Sequence, residues 1–213
     1  MKQKSLHTLY SYWNQVRAGR LAPQRLDIEP FRIAGILSET FMLERIDGGT
    51  YQFRLAGTRL CELFGTELRG KNFLDGWDND DCVTLERLLT TISEQGAGAT
   101  LSIEGSSDVR HRVDLEAMLL PLLHAGTKIN RIIGVMSAAS TPHWLSNEPL
   151  RSRHLIRHQL IWPDGRPRAV VERSGGQAPF QPALPAAMRV IGTDGRRFKV
   201  LEGGRAGIKS DKR

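Results

Sequence analysis

The chain has 213 residues, 40% of them apolar, which is enough for one domain of ordinary size with an appendage or for two small domains. It contains no apolar run of roughly 18 residues and no signal-peptide core at its start, so we predict a cytoplasmic protein without a membrane span. Two cysteines exclude a disulfide framework. The net charge of +7 belongs to one segment, because residues 1–145 sum to −1 and residues 146–213 to +8.

The amino-terminal segment is predicted to be an amphipathic helix that ends near Gly19. Its apolar residues recur at helical spacing: Leu6, Leu9, Tyr10, Trp13 and Val16. A lone helix of this length is marginal in water, so the apolar stripe must pack on something. Its own domain and a second copy of the chain both remain open.

Strands are predicted after a connector that Pro23 and Pro30 bracket. Residues 40–46 and 51–55 are joined by a loop of hairpin length, residues 47–50, and the second segment alternates in polarity. The pattern then changes from alternation to the helical spacing of Leu60, Leu63 and Phe64. We predict that Gly57 takes a positive φ at this joint and that the Thr58 hydroxyl caps the helix behind it.

Residues 79–95 are predicted to form a helix that Gly96 ends. Carboxylates crowd its start, where the positive end of the helix dipole favours them. The cluster could be imagined as a metal site, but helix capping and solvation explain it, so no metal is predicted. Its members are Asp75, Asp78, Asp80 and Asp81.

Three more strands are predicted at residues 99–104, 109–123 and 130–139. Their alternation indicates an antiparallel sheet with one wet face, but beyond Met118 both faces are apolar. The second face must therefore be covered by the amino-terminal helix or by another subunit. We predict a partner or dimer surface that contains Leu9, Trp13, Val16, Leu120, Leu122 and Ile132.

Several motifs together resemble the small single-domain PAS proteins of proteobacteria. They are Trp13…Arg17-Ala-Gly19, Pro23…Arg25-Leu-Asp-Ile-Glu-Pro30, Phe53-Arg-Leu-Ala-Gly-Thr58 and Leu63-Phe-Gly65…Leu68-Arg-Gly70. The resemblance implies an α+β fold, with a five-stranded antiparallel sheet, short helices on one face and ligands between the two. It divides the chain into a helix and connector (1–30), a PAS-like domain (31–140) and a basic, partly disordered tail (141–213).

Enzyme chemistry is not predicted, because no nucleophile elbow, zinc-protease motif or complete phosphate loop is present. His154 and His158, with His143, have a spacing that some zinc sites use, but the stretch also alternates like a strand. Exposed histidines are the preferred interpretation.

The resemblance does not extend to the haem-binding or flavin-binding PAS proteins. The helix 79–95 has no histidine for haem iron, and neither Cys61 nor Cys82 has the Asn-Cys-Arg context of flavin photoreceptors. Neither cofactor is predicted, whereas an unidentified small ligand stays open. A candidate pocket, which an ordinary packed core would equally explain, consists of Phe53, Leu63, Phe64, Trp77, Leu101 and Leu115.

The basic tail supplies the alternative function. A positive segment is a footprint for nucleic acid or an anionic membrane surface, although a solvated linker or docking arm fits as well. Residues 188–201 are predicted to form a hairpin. The preferred hypothesis is a non-enzymatic sensory or regulatory PAS protein. It would act by dimerisation or by binding a regulatory protein partner, with a small-ligand pocket as an open element.

Overall fold

The computed structural model describes residues 4–107, 111–124 and 126–165. Within them, six strands form one antiparallel sheet in the order β2-β1-β5-β4-β3-β6. The strands are β1 (Thr40–Arg45), β2 (Tyr51–Ala56), β3 (Gly98–Ser106), β4 (Arg112–Leu123), β5 (Ile129–Ala138) and β6 (Ser152–Ile161). The α-helices are α1 (Lys4–Arg17), α2 (Thr58–Phe64) and α3 (Asn79–Gln95), and short 3-10 helices span Arg25–Asp27, Pro30–Glu39 and His143–Ser146.

The predicted α+β class and antiparallel sheet are confirmed, but the predicted number of five strands is one too few. β6 pairs with β3 from Gly98 opposite Ile161 to Ser106 opposite Ser152. The segment expected to begin the tail therefore adds a strand to the sheet. Its pattern is weak because it is an edge strand, with Ile156 64% exposed. The rest of the predicted tail, from residue 166 onward and including the hairpin at 188–201, lies outside the described residues.

One face of the sheet is covered by α2, α3 and the loop between them. Phe41, Phe53 and Phe73 form an aromatic cluster there, with ring centroids 5.7–6.0 Å apart, which is the separation that aromatic pairs favour. Leu89 of α3 and Leu101 of β3 continue the same core. No helix in the described part of the chain is long and apolar enough to cross a membrane.

The opposite face of the sheet is covered by α1. Of the two predicted covers, the amino-terminal helix and another subunit, the helix of the same chain is the one that packs there. Trp13 is fully buried, and its indole Nε1 donates a hydrogen bond to the Pro121 carbonyl oxygen at 2.8 Å. Leu120, Leu122 and Ile133 form the sheet side of this second core. Beyond Met118, Leu119 packs in the first core and Leu120 and Leu122 pack in the second, so both faces of β4 are covered there, as the sequence predicted.

The joint between β2 and α2 corrects the predicted role of Gly57. Its φ is −68°, and its backbone N donates to the Thr40 carbonyl at 2.8 Å. A Cβ at this position would lie 2.3 Å from the Ser38 carbonyl oxygen, so glycine is required by close backbone approach rather than by a positive φ. Thr58 is the first residue of α2, and the helix start has no side-chain cap.

Candidate functional site beside strand β6

A cavity of about 190 Å³ lies where the loop after α2 meets the start of β6. Its apolar lining consists of Phe53, Phe64, Leu68 and Leu150. Its polar lining consists of Thr66, Lys71, Asn72, Asp75, Arg151 and Arg153. The cavity lining therefore combines apolar side chains with polar ones that are mainly basic.

The start of β6 is fixed to the rest of the fold by backbone hydrogen bonds. Leu150 N donates to the Leu63 carbonyl and Arg151 N to the Ser106 carbonyl, each at 2.8 Å. Leu150 is itself buried. These bonds hold the segment between α2 and β3, and so present the Arg153 side chain to the cavity.

Arg153 occupies the centre of the site, between two aromatic rings. Its guanidinium carbon lies 4.9 Å from the Phe64 ring centroid and 4.9 Å from the Trp77 ring centroid, within the range of cation–π attraction. Its Nη2 donates a hydrogen bond to the Asp75 carbonyl oxygen. Gly76, with a φ of +77°, allows this approach, because a Cβ there would lie 3.0 Å from Nη2.

The Arg153 charge is partly removed from water without a carboxylate partner. Desolvation lowers the pKa of Arg153 to about 10, and the negative charge of Asp75 opposes the shift. The group remains a cation at neutral pH. Among the described residues, no carboxylate forms an ion pair with it, and its bonded neighbour is a neutral carbonyl.

Two of the six predicted pocket residues, Phe53 and Phe64, line the cavity. Trp77 contacts the cavity residue Arg153 through a cation–π interaction. The other three are buried in the core between the sheet and α3: Leu63, Leu101 and Leu115. Sequence reasoning missed Leu150 and Arg153 because it assigned them to the tail. The strand-like alternation noted at residues 154–158 was the signal that pointed to them. That the cavity takes a ligand stays a prediction.

Five of the six predicted partner-surface residues belong to the core beneath α1. Leu9, Trp13, Leu120 and Leu122 are fully buried in it and Val16 is partly buried. Ile132 is buried on the opposite face of the sheet. A partner could reach the first five only if α1 moved, so their role in binding also stays a prediction.

The carboxyl end of α1 is tied to the chain just after β6. Arg17 donates from Nη1 and Nη2 to the two carboxylate oxygens of Asp164, both at 2.7 Å. The Arg17 guanidinium also lies 5.6 Å from the Trp13 ring centroid. Arg17 is 5% exposed, whereas the Asp164 side chain is 63% exposed. The hydrogen bonds from Arg17 lower the pKa of Asp164.

Three groups that sequence reasoning considered separately meet at the start of α3. Ligand atoms of Asp78, Asp81 and His154 lie within 4.8 Å of one another, a spacing that could hold a metal ion. We had expected these carboxylates to cap α3, but the Asp78 carboxylate makes no capping hydrogen bond. It lies 3.0 Å from His154 Nδ1 instead. Asp81 accepts a hydrogen bond from Leu155 N at 2.9 Å. Both carboxylates therefore already have partners within the protein.

The antiparallel sheet with helices inserted between β2 and β3 defines an α+β domain. The model of the PAS domain family matches residues 1–137, so the chain belongs to the PAS domain family. This membership gives it a sensory or regulatory role, because PAS domains generally sense signals rather than catalyse reactions. The match ends before β6, which carries Arg153. The comparison with curated proteins found no match.

Proposed function

We propose that this chain is a non-enzymatic regulatory protein in which a small-ligand cavity controls the docking of α1. With the cavity occupied, β6 is held in place and α1 covers the apolar face of the sheet. With the cavity empty, α1 leaves that face more often, and a second copy of the chain binds there. A protein partner of a different sequence is the competing occupant of the same face.

The observation that carries this proposal is the position of β6 between the two sites. Arg153, near its start, lines the cavity, and Asp164, just past its end, binds Arg17 of α1. Ile161, its last residue, packs in the core beneath α1. A ligand that stabilises β6 therefore acts on a strand that shares a core with α1 and leads directly to Asp164, the ion-pair partner of α1, so both sites can bias the same strand.

The character of the α1 face supports its proposed use as a binding surface. Without α1, Leu120 and Leu122 would be exposed on an apolar sheet face of the kind that associates with other proteins. Beside it, Leu26 and Phe31 in the connector after α1 are already 82% and 70% exposed. Release of α1 would join these side chains to a larger apolar patch.

The experiment is sedimentation velocity over a concentration series on the full chain with Arg17→Gln. Loss of the Arg17–Asp164 pair weakens α1 docking, so the variant should dimerise with a dissociation constant about tenfold or more below that of the wild type. Arg25→Gln, which changes an exposed arginine just beyond α1, is the matched control and should behave as wild type. An Arg17→Gln variant that releases α1, by hydrogen exchange, and yet stays monomeric would refute the dimer proposal.

The proposal includes a cytoplasmic location, which the free thiols of Cys61 and Cys82 support. Because PAS domains are generally sensory, the family assignment also supports a role without catalysis. A signalling role through protein contacts is consistent with both points.

A second candidate function, nucleic-acid binding, is favoured by the net charge of +8 on residues 146–213. Its test is fluorescence anisotropy with a DNA duplex across a salt series, on the full chain with Arg196 and Arg197 changed to Gln. The double variant should bind more weakly, and the slope of log K against log salt should fall by about 1–2. Changing Arg69 and Arg87 to Gln instead gives a control with the same net charge. Equal effects of the two double variants would contradict a tail-specific interface.

A further inference from the structure

The cavity contains a cation, Arg153, that forms no ion pair with a described carboxylate, and the charge of Asp75, which also lines the cavity, compensates for it only in part. Transferring a charge from water into a protein site is costly unless an opposite charge compensates for it. Arg153 is desolvated by the rings of Phe64 and Trp77, and its bonded acceptor is the neutral Asp75 carbonyl. An anion in the cavity would supply the missing compensation.

The other polar groups of the cavity form hydrogen bonds within the protein or are exposed, and the acidic one, Asp75, accepts a hydrogen bond from Asn72 N at 3.3 Å through Oδ2. Lys71 Nζ donates to Thr66 Oγ1 at 2.6 Å, and Asn72 Oδ1 accepts from Tyr51 N at 2.9 Å. Arg151 is exposed to solvent. Arg153 is therefore the group best placed to bind charge inside the cavity, and its planar guanidinium matches the two oxygens of a carboxylate.

The apolar side chains that line the cavity indicate the chemical character of the rest of the ligand. Phe53, Phe64, Leu68 and Leu150 present apolar surface that favours an apolar or aromatic body. The volume of about 190 Å³ corresponds to roughly six water molecules at about 30 Å³ each, which limits the ligand to a small molecule. A strongly hydrated inorganic anion would leave these walls without a partner.

We propose that this cavity binds a small carboxylic acid with a compact apolar body, its carboxylate on Arg153 and its body against Phe53 and Leu150. This proposal specifies the class of ligand that the regulatory protein proposed above would sense. Only the biological significance of the ligand rests on that proposed function. The binding chemistry stands on the geometry of the cavity.

Isothermal titration calorimetry of the full chain with benzoate and benzamide tests the charge directly. The two compounds have nearly the same shape, and only benzoate carries the negative charge. We expect benzoate to bind at least about tenfold more tightly than benzamide, because a charge-assisted pair replaces a neutral one. Equal affinities, or no benzoate binding at millimolar concentration, would overturn the proposal. Tighter binding of inorganic phosphate than of benzoate would overturn the apolar part of it.

Arg153→Gln tests the residue, with Arg157→Gln on the exposed part of the same strand as the matched control. Arg153→Gln should reduce benzoate affinity at least about tenfold and remove the preference over benzamide. Arg157→Gln should leave both unchanged. Wild-type benzoate affinity in a folded Arg153→Gln would refute the assignment. If Arg153→Gln does not fold, Phe64→Leu replaces it and should weaken benzoate and benzamide to a similar degree, whereas unchanged affinity for both would count against the site.

The test of the carboxylate site and the test of α1 release with dimerisation can fail independently of each other. Benzoate binding with no effect on α1 or on oligomeric state would uphold the carboxylate site and contradict the proposed coupling. Dimerisation of Arg17→Gln without any benzoate binding would contradict the carboxylate site and leave the α1 proposal standing.

Discussion

The two faces of the sheet are covered in different ways. The α2–α3 face is closed by elements inserted between β2 and β3, and its aromatic cluster joins β1 and β2 to the loop between the helices. The other face is covered by the 14-residue helix α1 from the start of the chain, which is held by Trp13 and by an ion pair whose carboxylate is largely exposed. The first cover is built into the connection between β2 and β3, whereas the second is the one that we propose to separate from the sheet.

Truncation of one buried aromatic residue in each cover should give the largest effect and should distinguish the two covers. Phe73→Ala should lower the free energy of global unfolding by about 3–5 kcal/mol, because it opens the core that joins β2 to α3. Trp13→Ala should instead release α1 and leave the remaining core folded. Urea titration measures the global loss, and hydrogen exchange by mass spectrometry locates it. Equal exposure of α3 and α1 amides in Trp13→Ala would contradict the difference between the faces.

A smaller effect is expected at the joint that carries α2. Gly57→Ala places a Cβ against the Ser38 carbonyl oxygen, so the backbone of the joint must shift, and we expect a loss of about 1–3 kcal/mol in urea unfolding. Gly48→Ala, in the β1–β2 hairpin, meets no atom within 4 Å and should change stability by less than about 0.5 kcal/mol. Equal stabilities of the two variants would show that the joint tolerates a side chain.

The smallest effect concerns the pH dependence of α1 docking. Because Arg17 lowers the pKa of Asp164, the pair contributes stability above the ordinary aspartate pKa of about 3.9 and loses it as the pH falls through the lowered value. Asp164→Asn should be less stable than the wild type by about 1 kcal/mol or less at pH 6, since the carboxylate is mostly exposed. The difference should vanish near pH 2. A difference that persists at pH 2 would show that Asp164 acts by something other than its charge.

Much of the fold was predictable because local patterns determine it. The bounds of α3 were predicted to the residue, since acidic residues at its start and Gly96 at its end mark a helix from sequence alone. The two-sided burial of β4 also followed from its apolar run. Gly57 was misread because a glycine needed for close backbone approach has the same sequence signal as one needed for a positive φ.

The candidate site was harder to predict because it depends on contacts distant in sequence. Arg153 meets Phe64 and Trp77 through the pairing of β6 with β3 and the backbone bond of Leu150 to Leu63, and an edge strand with exposed side chains gives a weak pattern. The predicted pocket therefore contained aromatic wall residues such as Phe53 but not the charged group. Similarly, the apolar stripe of α1 predicted a buried face without showing whether the same chain or a second copy covers it.

The central claim, that β6 couples the cavity to α1, is tested most directly by hydrogen exchange of the α1 amides with and without saturating benzoate. We predict that benzoate slows exchange in residues 4–17 of the wild type and of Arg157→Gln, and has no effect there in Arg153→Gln. Protection confined to the residues around the cavity, with α1 exchange unchanged in the wild type, would contradict the coupling.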